Sequence, residues 1–132
     1  MLALTAAMMI GCDSYSEVRA GLDAAGRERF TRGQRAATPC WTCHDVTGTS
    51  IKIGPGLQNL IGRRAGAEPG FPHSAAMRSS GITWNERTLD AFLSDGQGFI
   101  PGNKMIGSGV PDPRLRMDLI FFLRLVTPAA DE

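Results

Sequence analysis

Lysine is almost absent from this chain: Lys52 and Lys104 stand beside twelve arginines among 132 residues, and the formal net charge is only +1. Arg63-Arg64 is the sole basic doublet, and acids lie near most of the other arginines. The concentrated basic stripe of a nucleic-acid binder is therefore missing. Long apolar runs are missing too. Leu119-Ile120-Phe121-Phe122-Leu123 is cut by Arg124, and Met1–Gly11 falls short of the roughly 20 residues that a bilayer span needs. No segment shows the period-two alternation of a half-buried strand. Cysteine occurs three times, at positions 12, 40 and 43, which leaves one unpaired if the close two act together.

What is plentiful is glycine and proline, sixteen and eight residues, most of them between Gly48 and Pro113. Much of the middle of the chain must then be loop. A single small domain of this kind has a modest protein-only core, so a large apolar cofactor is expected to fill its interior. Helical signals flank the loops. Arg27 to Thr38 suits a helix ending before Pro39, and a short turn is expected around Leu57 to Ile61. Ser74 to Ser79 reads as a short helix with a Ser cap and Gly81 at its end. Thr83-Trp84-Asn85-Glu86 fits a capping box, with Asn85 the alternative cap, ahead of Leu89, Phe92 and Leu93. Gly96 to Gly109 reads as loop. Asp112 and Pro113 open a last helix whose apolar face is Leu115, Leu119, Phe122, Leu123 and Val126. The fold class is all-α, about five short helices with long loops.

The first residues look like part of an export signal. Residues 1–11 are uncharged and mostly apolar, as in a signal-peptide remnant. Met9-Ile10-Gly11-Cys12 resembles a bacterial lipobox, in which the cysteine becomes the acylated new N-terminus. No Lys or Arg precedes the apolar run, which leaves room for an upstream start. Residues 12–26, with little apolar pattern, read as a tether. The folded domain is expected over 27–127, and 128–132 is a tail. A periplasmic protein is expected, held at the membrane surface through a lipid on Cys12.

The chemistry centres on Cys40-Trp41-Thr42-Cys43-His44. Cys-x-x-Cys-His is the haem-attachment signature: two thiols one helical turn apart can each add to a vinyl group of a porphyrin, and the adjoining imidazole then reaches the iron. Three readings compete. A thioredoxin-like pair needs a βαβ context, a zinc site needs a fourth ligand, and a Cys40–Cys43 disulfide closes too small a loop to stabilise much. A haem iron in an electron carrier also wants a second ligand, and methionine with histidine raises its potential. Met105 stands in a Pro/Gly-rich loop, 61 residues beyond His44. Met77 and Met117 lie on helices, where packing is the usual role. His73 is the rival, more readily placed against a haem carboxylate or a backbone group.

From Arg27 to Val126 these motifs resemble the class I, mitochondrial-type cytochromes c. Gly33 stands seven residues before Cys40, where that family has a glycine at the crossing of its terminal helices. Gly54-Pro55-Gly56-Leu57 resembles the segment whose proline carbonyl accepts a hydrogen bond from the proximal imidazole. Gly62-Arg63, then Gly70-Phe71-Pro72-His73-Ser74, then Gly81-Ile82-Thr83-Trp84 resemble the segments around the haem propionates. Pro101-Gly102-Asn103-Lys104-Met105 is similar to the loop that delivers the methionine. Arg116-x-Asp118-Leu119-Ile120-x-Phe122-Leu123 resembles the last helix. The resemblance implies the cytochrome c fold around one haem c, bound covalently through Cys40 and Cys43. It also implies His44 and Met105 as iron ligands, with Pro55, Arg63, His73 and Trp84 around the group.

Departures from the family are visible. Ala37 stands where a phenylalanine packs between the terminal helices, so that contact should be thinner unless Phe121 and Phe122 refill it. His73 replaces a tyrosine near a propionate, and its charge would make the potential depend on pH. Gly107 replaces an aromatic after the methionine, which would loosen that loop. The lysine-rich docking face is missing. The function that follows is electron carriage between redox partner proteins by a monomer. The alternatives are a haem subunit of a larger oxidoreductase complex and a haem protein reactive toward peroxide or gas.

Overall fold

The computed structural model describes residues 14–107 and 109–130, so Cys12 and the signal-like residues before it lie outside the described part. Seven helices occur among the described residues: α1 (Ser16–Ala20), α2 (Ala24–Ala36), α3 (Cys40–Cys43), α4 (Ala75–Ser79), α5 (Glu86–Ser94), α6 (Gly96–Phe99) and α7 (Pro113–Val126). There is no strand among them, only an isolated antiparallel bridge between Arg64 and Thr83. The architecture is all-α, with two more helical pieces than expected. None of the described helices is long and apolar enough to cross a membrane.

The frame is the crossing of α2 and α7. Asp112 caps α7 by accepting from the N–H groups of Arg114 at 2.8 Å and Leu115 at 3.3 Å, and Pro113 occupies a first turn that needs no donor. At the crossing the backbones nearly touch. A Cβ on Gly33 would lie 2.1 Å from the Asp118 carbonyl oxygen and 2.7 Å from Phe122 Cβ. Beside this contact Phe30 and Phe122 are fully buried, with ring centroids 5.1 Å apart in an edge-to-face arrangement. Such burial stabilises by about 2–3 kcal/mol per side chain. Arg29 Nε at 3.2 Å and Arg32 Nε at 2.7 Å both reach the Asp118 carboxylate across the same crossing.

Several expectations change here. Of the tether expected over 12–26, the described part holds α1 and the start of α2, whose N-cap Asp23 accepts from Gly26 N–H at 2.7 Å. Tyr15 packs its ring 5.7 Å from both Phe30 and Phe122, and Val18 and Leu22 also join the core. The aromatic contact missing at Ala37 is thus rebuilt from Tyr15, Phe30 and Phe122, while Ala37 itself is fully buried. Phe121 makes none of these ring contacts: it is partly buried at the edge of the core, with Arg29 over its ring at 4.4 Å and Arg124 at 5.7 Å. On α7, Leu115 is exposed, whereas Ile120 and Arg116 are buried. Arg116 can face inward because its head is held by Asp90 Oδ1 at 2.6 Å and by the Val110 and Pro111 carbonyls at 2.7 and 3.1 Å. Met117 is exposed rather than packed.

α5 is capped by Asn85, whose Oδ1 accepts from Thr88 N–H at 3.0 Å while Thr88 Oγ1 accepts from Asn85 N–H at 2.9 Å. The reciprocal partner is Thr88, not Glu86 as in the Thr83-based reading. Leu89, Phe92 and Leu93 are buried as the periodicity predicts. In the stretch read as pure loop, Asp95 caps the short α6 through Gly98 N–H at 2.9 Å. The turn expected at Leu57 to Ile61 is a single i to i+3 bend, Leu60 N–H to Leu57 O at 3.1 Å, and no helix.

Candidate functional site

α3 is one helical turn, closed by His44 N–H donating to the Cys40 carbonyl at 2.8 Å. It sets the two thiols three residues apart, on neighbouring positions of one helix face. Neither cysteine is in a disulfide. Burial pushes the Cys40 thiol up, with the neighbouring Cys43 adding to it. A raised thiol is the opposite of the acidified cysteine of a redox pair. No group of three His, Cys, Asp or Glu side chains among the described residues is placed to hold a metal ion, so the zinc reading lacks its ligands.

His44 is the most constrained side chain of the site. The Asp45 carboxylate folds the following loop back, accepting from Gly48 N–H and Ser50 N–H at 3.1 Å each. Leu57 N–H donates to Asp45 O at 2.9 Å and Gly54 N–H to Cys43 O at 2.7 Å. This brings the buried Gly54 against the imidazole: a Cβ there would lie 2.4 Å from Cε1 and 2.7 Å from Nδ1. Pro55 O lies 2.8 Å from Nδ1. A carbonyl only accepts, so Nδ1 carries the proton and Nε2 keeps its lone pair for a metal.

Arg63 closes the same loop from outside, donating to Gln58 O at 2.8 Å and to Gly56 O at 3.1 Å, and it pairs with Glu68. Burial holds its pKa below the ordinary arginine value, against the opposing pull of Glu68. Its backbone pairs with Trp84, whose N–H donates to Arg63 O at 2.9 Å. Trp84 is buried with its ring 5.2 Å from Phe92, edge to face. His73 sits nearby against Phe71, ring centroids 4.7 Å apart. Its Nε2 is buried and has no hydrogen-bond partner among the described residues. Burial first, then the charges of Arg63, Arg78 and Lys104, lowers its pKa.

Met105 is 42% exposed on its loop. Lys104 Nζ donates to Pro72 O at 3.2 Å, which ties that loop to the His73 segment. The structure thus gathers Pro55, His44 and Arg63 on one continuous loop, and Arg63, His73 and Trp84 around another. Sequence reasoning gave no role to Gly54 beyond its place in a motif. It also missed Asp45, Gln97 and Asn103. A carboxylate directly after His44 and three residues before Gly48 is a turn signal that would have found Asp45.

The residues fit a covalently held haem on three counts. The thiols are unpaired, His44 Nε2 is free to ligate, and His73 Nε2 is an orphaned buried polar atom such as a carboxylate would satisfy. Two thiols and an imidazole on one turn of an all-α frame define a c-type haem protein.

Comparison with known proteins makes this specific. Cytochrome c2 of Rhodomicrobium vannielii is 41% identical over 93 residues, covering 70% of this chain and 74% of that protein. Cytochrome c2 of Blastochloris viridis is 36% identical over 106 residues, 80% and 84% of the two chains. The solved structure of cytochrome cH from Methylobacterium extorquens superposes with a TM-score of 0.66 at 33% identity, covering 71% of this chain and 95% of that one. No family profile matches the chain. The chain belongs to the class I c-type cytochromes. It is a single-haem electron carrier, not an enzyme, and its haem c is attached covalently through two cysteines.

Proposed function

We propose that this carrier shuttles single electrons between redox partner proteins outside the cytoplasmic membrane, with its iron held by His44 and Met105. When bound, the haem supplies a one-electron iron couple, and His/Met ligation sets that couple high. Cys40 and Cys43 hold the group. Pro55 fixes the His44 tautomer and strengthens its donation. His73 and Trp84, with Arg63 beside them, are the residues that would hold the haem carboxylates. The observation that supports the reading is the 2.8 Å contact from His44 Nδ1 to Pro55 O, because it leaves the Nε2 lone pair available to a metal. Both lysines already donate to backbone carbonyls, Lys52 to Trp41 and Lys104 to Pro72, so docking rests on no strong basic patch. The carrier is a periplasmic monomer. Cys12 is the acyl attachment point that keeps it at the membrane surface, a reading supported by the lipobox-like Met9-Ile10-Gly11-Cys12.

The test is spectroscopic and simple. A reduced-minus-oxidised spectrum should show c-type bands that survive acidified acetone, and a potentiometric titration should fit one electron. CO should not bind the reduced protein at neutral pH. Haem released by acidified acetone, or a reduced iron open to CO, would overturn the reading. Intact mass reports acylation and any cleavage before Cys12 in the same preparation.

A further inference from the structure

The loop that carries Met105 is held by two side-chain amides. Asn103 is buried, 7% exposed. Its Nδ2 donates to the carbonyls of Gly96 and Ile100, each at 2.8 Å. Its Oδ1 accepts the N–H of Met105 at 3.0 Å. Gln97 completes the brace from α6: its Nε2 donates to Asn103 O at 2.9 Å and its Oε1 accepts from Gly102 N–H at 3.3 Å. Beyond Met105 the next backbone bond among the described residues is Val110 N–H to Leu93 O at 2.7 Å, with Gly109 close against the Leu93 and Ser94 carbonyls. Between Met105 and Val110, Ile106 is 93% exposed, and a Cβ on Gly107 would meet nothing within 4 Å. A cavity of about 140 Å³, lined in part by Phe92, Gln97, Asn103 and Met105, leaves room for the loop to shift. Among the described residues, the bond that places the Met105 backbone comes from its N-terminal side, from Asn103.

We infer that Asn103 and Gln97 are positioning residues that set how firmly the Met105 sulfur is held to the iron, and so how well the iron is closed to outside ligands. The inference rests on the reading of Met105 as the second axial ligand. Asparagine suits the position because one short side chain supplies two donors and an acceptor, and all three are used. Aspartate would keep the acceptor but set a carboxylate against two carbonyls. Alanine would leave the Met105 N–H without its partner, in a part-buried setting where an unmade bond is costly, and would take the second donor from the Gly96 and Ile100 carbonyls, which keep the Ile100 and Asn103 N–H groups at 2.9 and 3.1 Å.

The test uses the haem-loaded protein and the variants Asn103→Ala, Gln97→Leu and Met105→Ala. Two properties are followed: the weak long-wavelength sulfur-to-iron charge-transfer band of the oxidised form during heating, with far-UV circular dichroism in the same scan, and CO binding to the reduced form at neutral pH. Apparent CO affinity scales with the fraction of molecules whose iron is open. Asn103→Ala should bind CO about tenfold or more tightly than the wild type, given the bonds lost. It should also lose the band well before its helices melt. Gln97→Leu should fall between Asn103→Ala and the wild type. Gln97 is exposed, so this variant folds whatever becomes of Asn103→Ala. Wild-type CO affinity in Gln97→Leu together with wild-type affinity or failure to fold in Asn103→Ala, while Met105→Ala binds CO freely, overturns the inference and leaves the ligand reading standing. Persistence of the band in Met105→Ala overturns the ligand reading itself.

Discussion

Gly54→Ala should injure both the stability and the chemistry of this protein, through one methyl group. A Cβ at that position would lie 2.4 Å from His44 Cε1, 2.7 Å from Nδ1 and 3.0 Å from Nε2. Carbon atoms pack best near 3.5–4.0 Å, so ring or loop must give by about 1 Å. Neither yields freely. The ring is tied to Pro55 O at 2.8 Å, and the loop by Gly54 N–H to Cys43 O at 2.7 Å and Lys52 N–H to Gly54 O at 3.0 Å. Overpacking of this kind costs about 1–3 kcal/mol, and losing the imidazole hydrogen bond about 1 kcal/mol more. The loss of glycine's unfolded-state entropy returns about 0.4–1 kcal/mol, since this glycine has no positive φ. The net expectation is a loss of about 2–3 kcal/mol, or about 10 °C in Tm for a domain of this size. The haem-loaded variant should show that loss in denaturant unfolding followed by circular dichroism, together with a shifted midpoint potential, because the partner of the proximal nitrogen tunes the ligand. Gly107→Ala, with open space around its Cβ, is the control and should stay within about 0.5 kcal/mol. If Gly54→Ala unfolds with Gly107→Ala and keeps the wild-type potential, the contact between Gly54 and His44 does not govern the site.

Gly33→Ala should lose about 2–4 kcal/mol, since its Cβ would meet backbone at the α2–α7 crossing, and the urea midpoint should fall with the slope unchanged. Tyr15→Ala removes two edge-to-face contacts and should lower Tm by about 5–10 °C, whereas a residue in a free tether would leave it unchanged. His73 gives a pH test. Its native pKa lies below the ordinary histidine value of about 6.5, because burial and then the charges of Arg63, Arg78 and Lys104 disfavour its charged form. As pH falls through that value the unfolded chain takes up the proton first, so the wild type is most stable above it and loses stability toward its lowered native pKa. His73→Gln should remove that acid-side loss. A constant difference between the two urea midpoints from pH 7.5 to pH 5, or a His73 imidazole resonance in the reduced protein titrating above its ordinary value, would refute the assignment.

The haem chemistry was legible because it is local. Two thiols and an imidazole must be neighbours in sequence to act on one porphyrin edge, so five residues carry the signal and no tertiary contact is needed to read it. The caps at Ser74, Asn85 and Asp112 were legible for the same reason, each being satisfied within three residues. The periodic core of α5 was equally plain.

What escaped the sequence lies where partners are distant. Asp13 to Gly26 is polar and glycine-marked, so by composition it reads as a tether, yet Tyr15 reaches a ring more than a hundred residues away at Phe122. The small residue at Ala37 argued for a thinned contact, and the inference failed because it counted volume at one position rather than over the crossing. A glycine at position 33 fixes how closely the helices approach, and any aromatic that reaches that seam can fill it. Here Phe30 enters from one turn before Gly33, Phe122 from the facing helix, and Tyr15 from a segment outside the Arg27 to Val126 resemblance. A Phe at position 37 would then have no space left to occupy, since Ala37 is already fully buried in the same core as Phe30 and Phe122. Ala37→Phe should therefore destabilise by about 1–3 kcal/mol, as overpacking does. Equal or greater stability in that variant, measured by the same urea midpoint, would show that the crossing still holds the space its relatives fill.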